Sequence, residues 1–247
     1  MNRLINIDNL PEVFGVRDVI RLSNSKVTRR MLNYEITKLL KGKKLIKIKN
    51  GVYSKIGDIF YIASYLYDGY IGFSSALYLH GLKEEIEASV YVCTSSPKKR
   101  LRVMERVIEP VNMSKQQYGV MAFVLNGREI LISTYAKTIF DMLSKPKYAN
   151  YFDMYRAMKI RSFSKGQWEE LAYYAKNSNI TDIRRVGYAT EGIAPGWFTG
   201  QMNDLSRKGY RTSFFFKHKA ENYNLKWSMF DGLSVRRWLN AVRSRFR

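Results

Sequence analysis

Residues 25–56 read SKVTRRMLNYEITKLLKGKKLIKIKNGVYSKI, and this stretch decides the N-terminal fold. Apolar residues recur at helical spacing and form one stripe: Val27, Leu32, Ile36, Leu39 and Leu40. We expect Ser25 to cap this helix and Gly42 to end it with a positive φ angle. Two short alternating segments then flank Asn50-Gly51, the strongest short signal for a β-hairpin. A basic helix followed directly by a lysine-rich hairpin is typical of a winged helix-turn-helix, whose recognition helix enters the DNA major groove.

The polar face of this helix and the hairpin are the expected DNA-binding surface. Arg and Asn side chains can read guanine and adenine in the major groove, whereas lysines on the wing contact phosphates. The residues expected to bind DNA are Lys26, Thr28, Arg29, Arg30, Asn33, Thr37, Lys47, Lys49, Asn50 and Lys55.

The segment before the basic helix is expected to brace it. Residues 11–23 predict a short helix whose buried face is formed by Val16, Val19 and Ile20. A short polar turn follows, as a helix-turn-helix requires. The pattern is complete by residue 56, so we expect a winged helix-turn-helix domain over residues 1–57 and a second domain over residues 58–247.

Charge and composition favour a polyanionic partner. The 247 residues are 46% hydrophobic, enough for a real core, and carry a net charge of +21 with a pI near 10.0. Such a charge favours nucleic acid or an anionic membrane surface, and general solubility is the plainer alternative. The single cysteine, Cys93, excludes a disulfide within the chain and fits the reducing cytoplasm. No signal peptide or transmembrane helix is expected.

The remaining chain alternates between helical and strand patterns. Helices are expected near residues 59–66 and 74–82, from Thr134 to Pro146, and over residues 152–160, 167–177 and 182–189. Strands are expected over residues 88–94 and 106–111, and in a second hairpin that turns at Asn126-Gly127. A β segment is expected at residues 211–217, with residues 224–230 as its candidate partner, and the basic tail is read either as a surface helix or as a second phosphate contact. The fold class is therefore α+β, with a mixed α/β C-terminal domain.

The motifs of common enzymes are missing. Two histidines and one cysteine cannot build an ordinary zinc site, and no phosphate-binding loop, dinucleotide fingerprint or nucleophile elbow occurs. No Asp or Glu is followed two residues later by Lys, as in many metal-dependent nucleases. We read His80 as a packed or helix-end residue, and Asp141 and Asp153 have no evident catalytic partner. The expectation is a protein that is not an enzyme and needs no cofactor or metal.

Three stretches in the same order resemble the AbiEi antitoxin family of abortive-infection toxin–antitoxin systems. They are residues 45–53 (LIKIKNGVY), 72–82 (GFSSALYLHGL) and 132–143 (ISTYAKTIFDML). The resemblance covers roughly residues 10–160. It implies an N-terminal winged helix that binds double-stranded DNA at the operator of its own operon and represses it. It also implies a C-terminal domain that antagonises a co-encoded nucleotidyltransferase-like toxin.

Two other classes of function stay open beside this DNA-binding regulator. One is a nucleic-acid-processing enzyme that uses the winged helix to bind its substrate. The other is an architectural DNA-binding protein, for which binding of uniform affinity to any duplex is expected.

Overall fold

The computed structural model describes residues 9–22, 28–114, 117–207, 213–214 and 222–231. The described chain is α+β, with helices packed around three separate sheets. The N-terminal part contains β1 (Val13–Gly15), α1 (Val16–Leu22), α2 (Arg29–Lys41), β2 (Ile46–Lys49) and β3 (Val52–Ser54). Its three strands form an antiparallel sheet in the order β1-β3-β2. The hairpin expected at Asn50-Gly51 is confirmed.

The helix expected over residues 11–23 is wrong at its start, where β1 forms instead. Val13 and Phe14 are both buried, but they point to opposite faces of the strand and enter two different cores. Two adjacent apolar residues buried on opposite sides suit the alternation of a strand rather than a helical stripe. Helix α1 buries Val19, as expected, whereas Ile20 is 44% exposed.

Both ends of α2 differ from the sequence expectation. The N-cap is Thr28, whose Oγ1 accepts a hydrogen bond from the backbone N–H of Met31 at 3.3 Å, so the cap lies three residues after the expected one; Ser25 lies outside the described residues. At the other end Gly42 has φ −78°, and Lys43 takes the positive φ of 53°. The N–H of Lys44 bonds the carbonyl of Leu39 at 2.9 Å. This is the Schellman arrangement, which places the left-handed residue one position beyond the C-cap.

A six-stranded mixed sheet forms the centre of the molecule, in the order β6-β7-β5-β4-β9-β8. Its elements are α3 (Ile59–Tyr67), β4 (Tyr70–Ile71), α4 (Phe73–Leu79), β5 (Ser89–Thr94), β6 (Leu101–Val103), β7 (Arg106–Asn112), β8 (Val120–Leu125) and β9 (Arg128–Ser133). The pairs β5–β7 and β4–β9 are parallel and the others antiparallel. The expected strands and the turn at Asn126-Gly127 are confirmed, whereas the short strands β4 and β6 were not predicted.

The central sheet separates two cores. Adjacent residues alternate between them: Tyr70 and Cys93 face the core that contains the helix Tyr135–Ser144 (α5), here called the α5-side core, while Ile71 and Val92 face the core that contains α3, called the α3-side core. The α5-side core is covered by α5 (Tyr135–Ser144), α6 (Tyr151–Ile160), α7 (Lys165–Lys176), α8 (Ile180–Thr190) and α9 (Gly196–Ser206), with a 3-10 helix at Pro146–Tyr148. Every residue of α5 is buried. The sheet therefore holds one fully buried helix against its face.

The described C-terminal strands form a small third sheet, in the order β10-β12-β11. They are β10 (Ser213–Phe214), β11 (Asn222–Asn224) and β12 (Met229–Asp231), and β10 pairs with β12 in parallel. Trp227 anchors this hairpin: its ring is fully buried and lies where a Cβ on Gly187 would come within 2.1 Å. The basic tail over residues 234–247 lies outside the described residues. No helix in the described part of the chain is long and apolar enough to cross a membrane.

Candidate nucleic-acid interface

Helix α2 has one buried face and one exposed face. Leu32 and Ile36 are 1% and 3% exposed and pack against a core that includes Phe14 and Leu45. On the other side, all the α2 residues expected to contact DNA are exposed: Arg29, Arg30, Asn33 and Thr37. The apolar stripe thus fixes the orientation of the helix and leaves the polar side chains in solvent.

The region from α2 to the hairpin tip has an unbalanced positive charge. Residues 28–50 carry eight Lys or Arg side chains, all exposed, against one acidic residue, Glu35. These cations are Arg29, Arg30, Lys38, Lys41, Lys43, Lys44, Lys47 and Lys49. Within the described residues, none of them forms a salt bridge. Like charges gathered at this density repel one another, so a polyanion that binds here relieves that repulsion.

The hairpin sends its lysines outward because of strand alternation. Strand β2 lies at the edge of the sheet, and its residues alternate between exposed Lys47, buried Ile48 and exposed Lys49. Asn50 is exposed at the tip, and Gly51 takes a positive φ of 76°. Lys47, Lys49 and Asn50 are therefore placed where a phosphate backbone could reach them.

Three of the expected DNA-binding residues also have partners inside the protein. The Thr28 hydroxyl caps α2, and the Thr37 hydroxyl donates to the carbonyl of Asn33 at 2.7 Å. The Lys55 ammonium donates to the carbonyl of Leu10 at 2.7 Å and is partly buried, so the geometry assigns it to holding the N-terminal segment. Lys26 lies outside the described residues. The structure thus brings Arg29, Arg30 and Asn33 to one helix face and leaves Lys55 apart from them.

A second cluster of charged residues is enclosed in the α5-side core. Lys137 and Asp141 form a salt bridge with both side chains fully buried. The Tyr70 hydroxyl donates to Asp141 Oδ2 at 2.9 Å and accepts from Lys137 Nζ at 3.1 Å. Burial raises the pKa of the Asp141 carboxyl, and the nearby ammonium opposes that rise. Because the side chains of this pair are shielded from solvent, a substrate has no access to them. We interpret the pair as a structural contact that joins α5 to Tyr70 of the sheet.

The other polar residues singled out in the sequence have structural partners. His80 is the C-cap of α4, and its Nε2 lies 2.8 Å from the carbonyl oxygen of Ser133; burial lowers its pKa. The interpretation of His80 as a packed helix-end residue is confirmed. Asp153 forms a salt bridge with Lys83. Among the described residues, no group of three or more His, Cys, Asp or Glu side chains could hold a metal ion.

Comparison with known proteins shows the fold alone. No protein-family model matches the chain, and no curated protein matches it. The crystal structure of the RV2827C protein from Mycobacterium tuberculosis is similar, with a TM-score of 0.67 over 96% of this chain and 91% of that chain. The two sequences are 14% identical, so the similarity carries the architecture and not an activity.

Proposed function

We propose that the protein is a DNA-binding transcriptional regulator whose N-terminal part acts as a winged helix-turn-helix. The observation that carries this proposal is the group of eight exposed cations over residues 28–50, none of them in a salt bridge within the described residues. The order of α1, α2 and the β2–β3 hairpin supports it, because this order matches a supporting helix, a recognition helix and a wing.

The resemblance to AbiEi antitoxins extends the proposal to a biological setting. In this setting the protein works in the cytoplasm, binds the operator of its own operon and represses it. Its C-terminal part antagonises a co-encoded nucleotidyltransferase-like toxin. Two of the three stretches that carry the resemblance lie outside the N-terminal part, in α4 and α5. Residues 132–143 run from β9 into the buried helix α5, and residues 72–82 contain α4, which packs against α5.

The test compares a recognition-helix variant with a wing variant. Arg30→Ala removes a side chain placed to read a base edge, so it should lower the preference for operator over random duplex, by about 1–3 kcal/mol if a bidentate contact is lost. Lys49→Ala removes a phosphate contact, so it should weaken binding to both duplexes alike. Lys176→Ala, an exposed lysine at the end of α7, is the matched control. Binding is measured by fluorescence anisotropy with DNA from upstream of the gene.

Salt dependence gives an independent check. With about five phosphates neutralised, log affinity should fall with log salt at a slope of about −4 to −5. A slope near zero, or Arg30 and Lys49 variants that bind both duplexes like the wild type, contradicts the proposal. Equal affinity of the wild type for operator and random duplex supports an architectural protein instead. A metal-dependent activity that disappears when one carboxylate is changed supports a nucleic-acid enzyme.

A further inference from the structure

A cavity of about 690 Å³ lies in the C-terminal helical part, and the proposed DNA-binding surface does not use it. It opens between the connection from α6 to α7 and the connection from α8 to α9. Its volume is within the roughly 300–1,000 Å³ typical of small-molecule sites. The question is which ligand chemistry its walls fit.

Three aromatic side chains, Phe163, Trp168 and Trp197, line the cavity, and they meet each other or the neighbouring Phe198 at tilted or edge-on angles. Phe163 and Trp168 have ring centroids 4.9 Å apart, and Trp168 lies at the same distance from Phe198. Trp197 continues this row, with its centroid 5.8 Å from that of Phe198, yet 45% of its surface is exposed. Phe198, which contacts Trp197, is fully buried, while part of the Trp197 surface stays in solvent. A planar ligand that covered the exposed part would bury apolar surface without reorganising the site.

The charge of the lining is positive. Lys159 and Lys165 line the cavity and are exposed, and none of the described residues that line it is Asp or Glu. Two acidic side chains near these connections, Glu191 and Glu169, have described partners. Glu191 accepts from Lys226 and from Trp227 Nε1, and Glu169 lies 3.9 Å from Lys165 in a well-exposed pair of the kind worth little.

We propose that this cavity binds one nucleotide unit, with its base stacked on Trp197 and its phosphate paired with Lys159 and Lys165. A purely apolar ligand makes no use of the lysines, and an inorganic anion makes no use of the rings. A nucleotide uses both, because proteins that bind the unpaired nucleotides of single strands combine aromatic stacking with positive charge. A free mononucleotide and an unpaired nucleotide in a single strand offer the same chemistry, so the test separates the two sources.

The experiment measures ligand binding to the full chain by isothermal titration calorimetry. The probes are GMP, AMP and UMP, with guanosine and inorganic phosphate as the separated parts of the ligand. One molecule of GMP or AMP should bind per chain, more tightly than UMP because a purine has the larger stacking face. Guanosine and phosphate should each bind more weakly than GMP. Phosphate that binds as tightly as GMP overturns the proposal, because charge alone then explains the binding.

Variants of exposed residues identify the site. Trp197→Ala should weaken GMP binding roughly 5- to 150-fold, the usual loss for one base-stacking aromatic, and Trp197→Phe should restore most of it. Lys165→Ala should weaken binding and lower its salt dependence. The matched controls are Tyr65→Ala, an aromatic residue 47% exposed on α3, and Lys176→Ala on the same helix as Lys165; both should bind like the wild type. Circular dichroism verifies that each variant is folded.

A fluorescein-labelled single-stranded decamer distinguishes the two sources. If Trp197→Ala weakens GMP binding and leaves decamer binding unchanged, the ligand is a free mononucleotide. If it weakens decamer binding, with or without an effect on GMP, the ligand is a nucleotide within a strand. If neither depends on Trp197, the proposal is wrong. Binding of duplex DNA should be the same for Trp197→Ala and the wild type. A failure at the cavity is therefore distinct from a failure of the proposed DNA-binding surface.

Discussion

Replacing Lys137 by Met should lower the free energy of unfolding by about 3–5 kcal/mol. The reason is that Lys137 and Asp141 are both 0% exposed and form a salt bridge one turn apart on α5. Methionine keeps the shape of the lysine stem but leaves the Asp141 carboxylate in the core with the Tyr70 hydroxyl 2.9 Å away. Removing one partner of a buried pair typically costs about this much, because the other charge stays buried and uncompensated.

The double variant separates the pairwise interaction from the loss of packing. Asp141→Asn alone leaves the Lys137 ammonium buried, so its cost should again be about 3–5 kcal/mol. Lys137→Met combined with Asp141→Asn leaves no charge at this place and should cost less than about 2 kcal/mol, because neutral replacements of a buried pair are often well tolerated. The two single costs therefore exceed the double cost by at least about 4 kcal/mol.

The assay is urea denaturation of the four proteins, followed by circular dichroism and by tryptophan fluorescence to verify two-state unfolding. The control is a second cycle at Lys165 and Glu169, which have the same spacing on α7 but side chains 83% and 57% exposed. Its coupling should stay below about 0.5 kcal/mol. If the double variant loses as much free energy of unfolding as the two single variants together, the reasoning is refuted, because Lys137 and Asp141 are then not paired as ions in the core.

Two further predictions concern a helix end and a buried carboxyl. Lys43→Gly should raise the free energy of unfolding by about 1 kcal/mol in the same urea assay, because Lys43 has φ 53° and a Cβ is strained there; Lys44→Gly should give no such gain. Burial raises the pKa of Asp182 from 3.8 to about 6, so the native state binds a proton more readily than the unfolded chain. Protonation of Asp182 therefore adds to the free energy of unfolding, and this contribution is complete below pH 3.8 and lost as the pH rises through 6. Between pH 7.5 and pH 5 the wild type should therefore gain about 1 kcal/mol relative to Asp182→Asn, and an equal difference at both pH values contradicts this.

The sequence predicted the elements whose patterns are local. The α2 stripe at Leu32 and Ile36 and the hairpin at Asn126-Gly127 follow from periodicity and turn chemistry, and both are confirmed. Helix α9 was missed, because its sequence contains Gly196 and Gly200, which are weak helix formers, and its buried side chains depend on packing against α8 and α7. Strand β1 was missed because its two buried apolar residues, Val13 and Phe14, pack into two different cores, so they form no single apolar stripe.

The candidate sites differ in how much of each could be predicted from the sequence. The cations of α2 and the hairpin are close in sequence, so their exposure could be predicted from the opposing apolar stripe. Lys55 looked equivalent in sequence, but its contact with the Leu10 carbonyl joins residues 45 positions apart. The cavity is built from connections some 30 residues apart, and its only local sign is the group of aromatic residues near Phe163 and Trp197. Contacts between residues this far apart in sequence depend on the tertiary fold, and the periodicity of the sequence does not predict them.

The last prediction rests on the proposed function: DNA binding and antitoxin activity can be separated at the boundary near Gly57-Asp58. A fragment over residues 59–247 should neutralise the toxin without repressing the operon, whereas residues 1–57 should be needed for operator binding alone. Growth rescue is measured by co-expression with the proposed nucleotidyltransferase-like toxin, and repression by a reporter fused to DNA from upstream of the gene. The competing hypothesis is that the whole basic chain acts as one DNA clamp.

The packing at the boundary decides how this experiment must be designed. Val13 and Ile48 lie in the α3-side core with Ile59 and are at most 4% exposed, so the cut removes two side chains whose burial is worth roughly 1.5–3 kcal/mol each. It also removes Glu12, which pairs with Arg128 at 3.1 Å. A loss of about 3–6 kcal/mol is a large part of the 5–15 kcal/mol that usually stabilises a domain, so the fragment should melt well below the full chain.

A full-length variant makes the test independent of that loss. Arg30→Ala combined with Lys49→Ala changes two exposed side chains, so it should keep the stability of the wild type while it abolishes repression. Separable roles require that this variant still rescues growth as well as the wild type does. If it is folded and abundant but loses rescue together with repression, DNA binding is part of the antitoxin activity and the boundary does not divide the functions. The same conclusion follows from a folded 59–247 fragment that gives no rescue under conditions in which the full chain does.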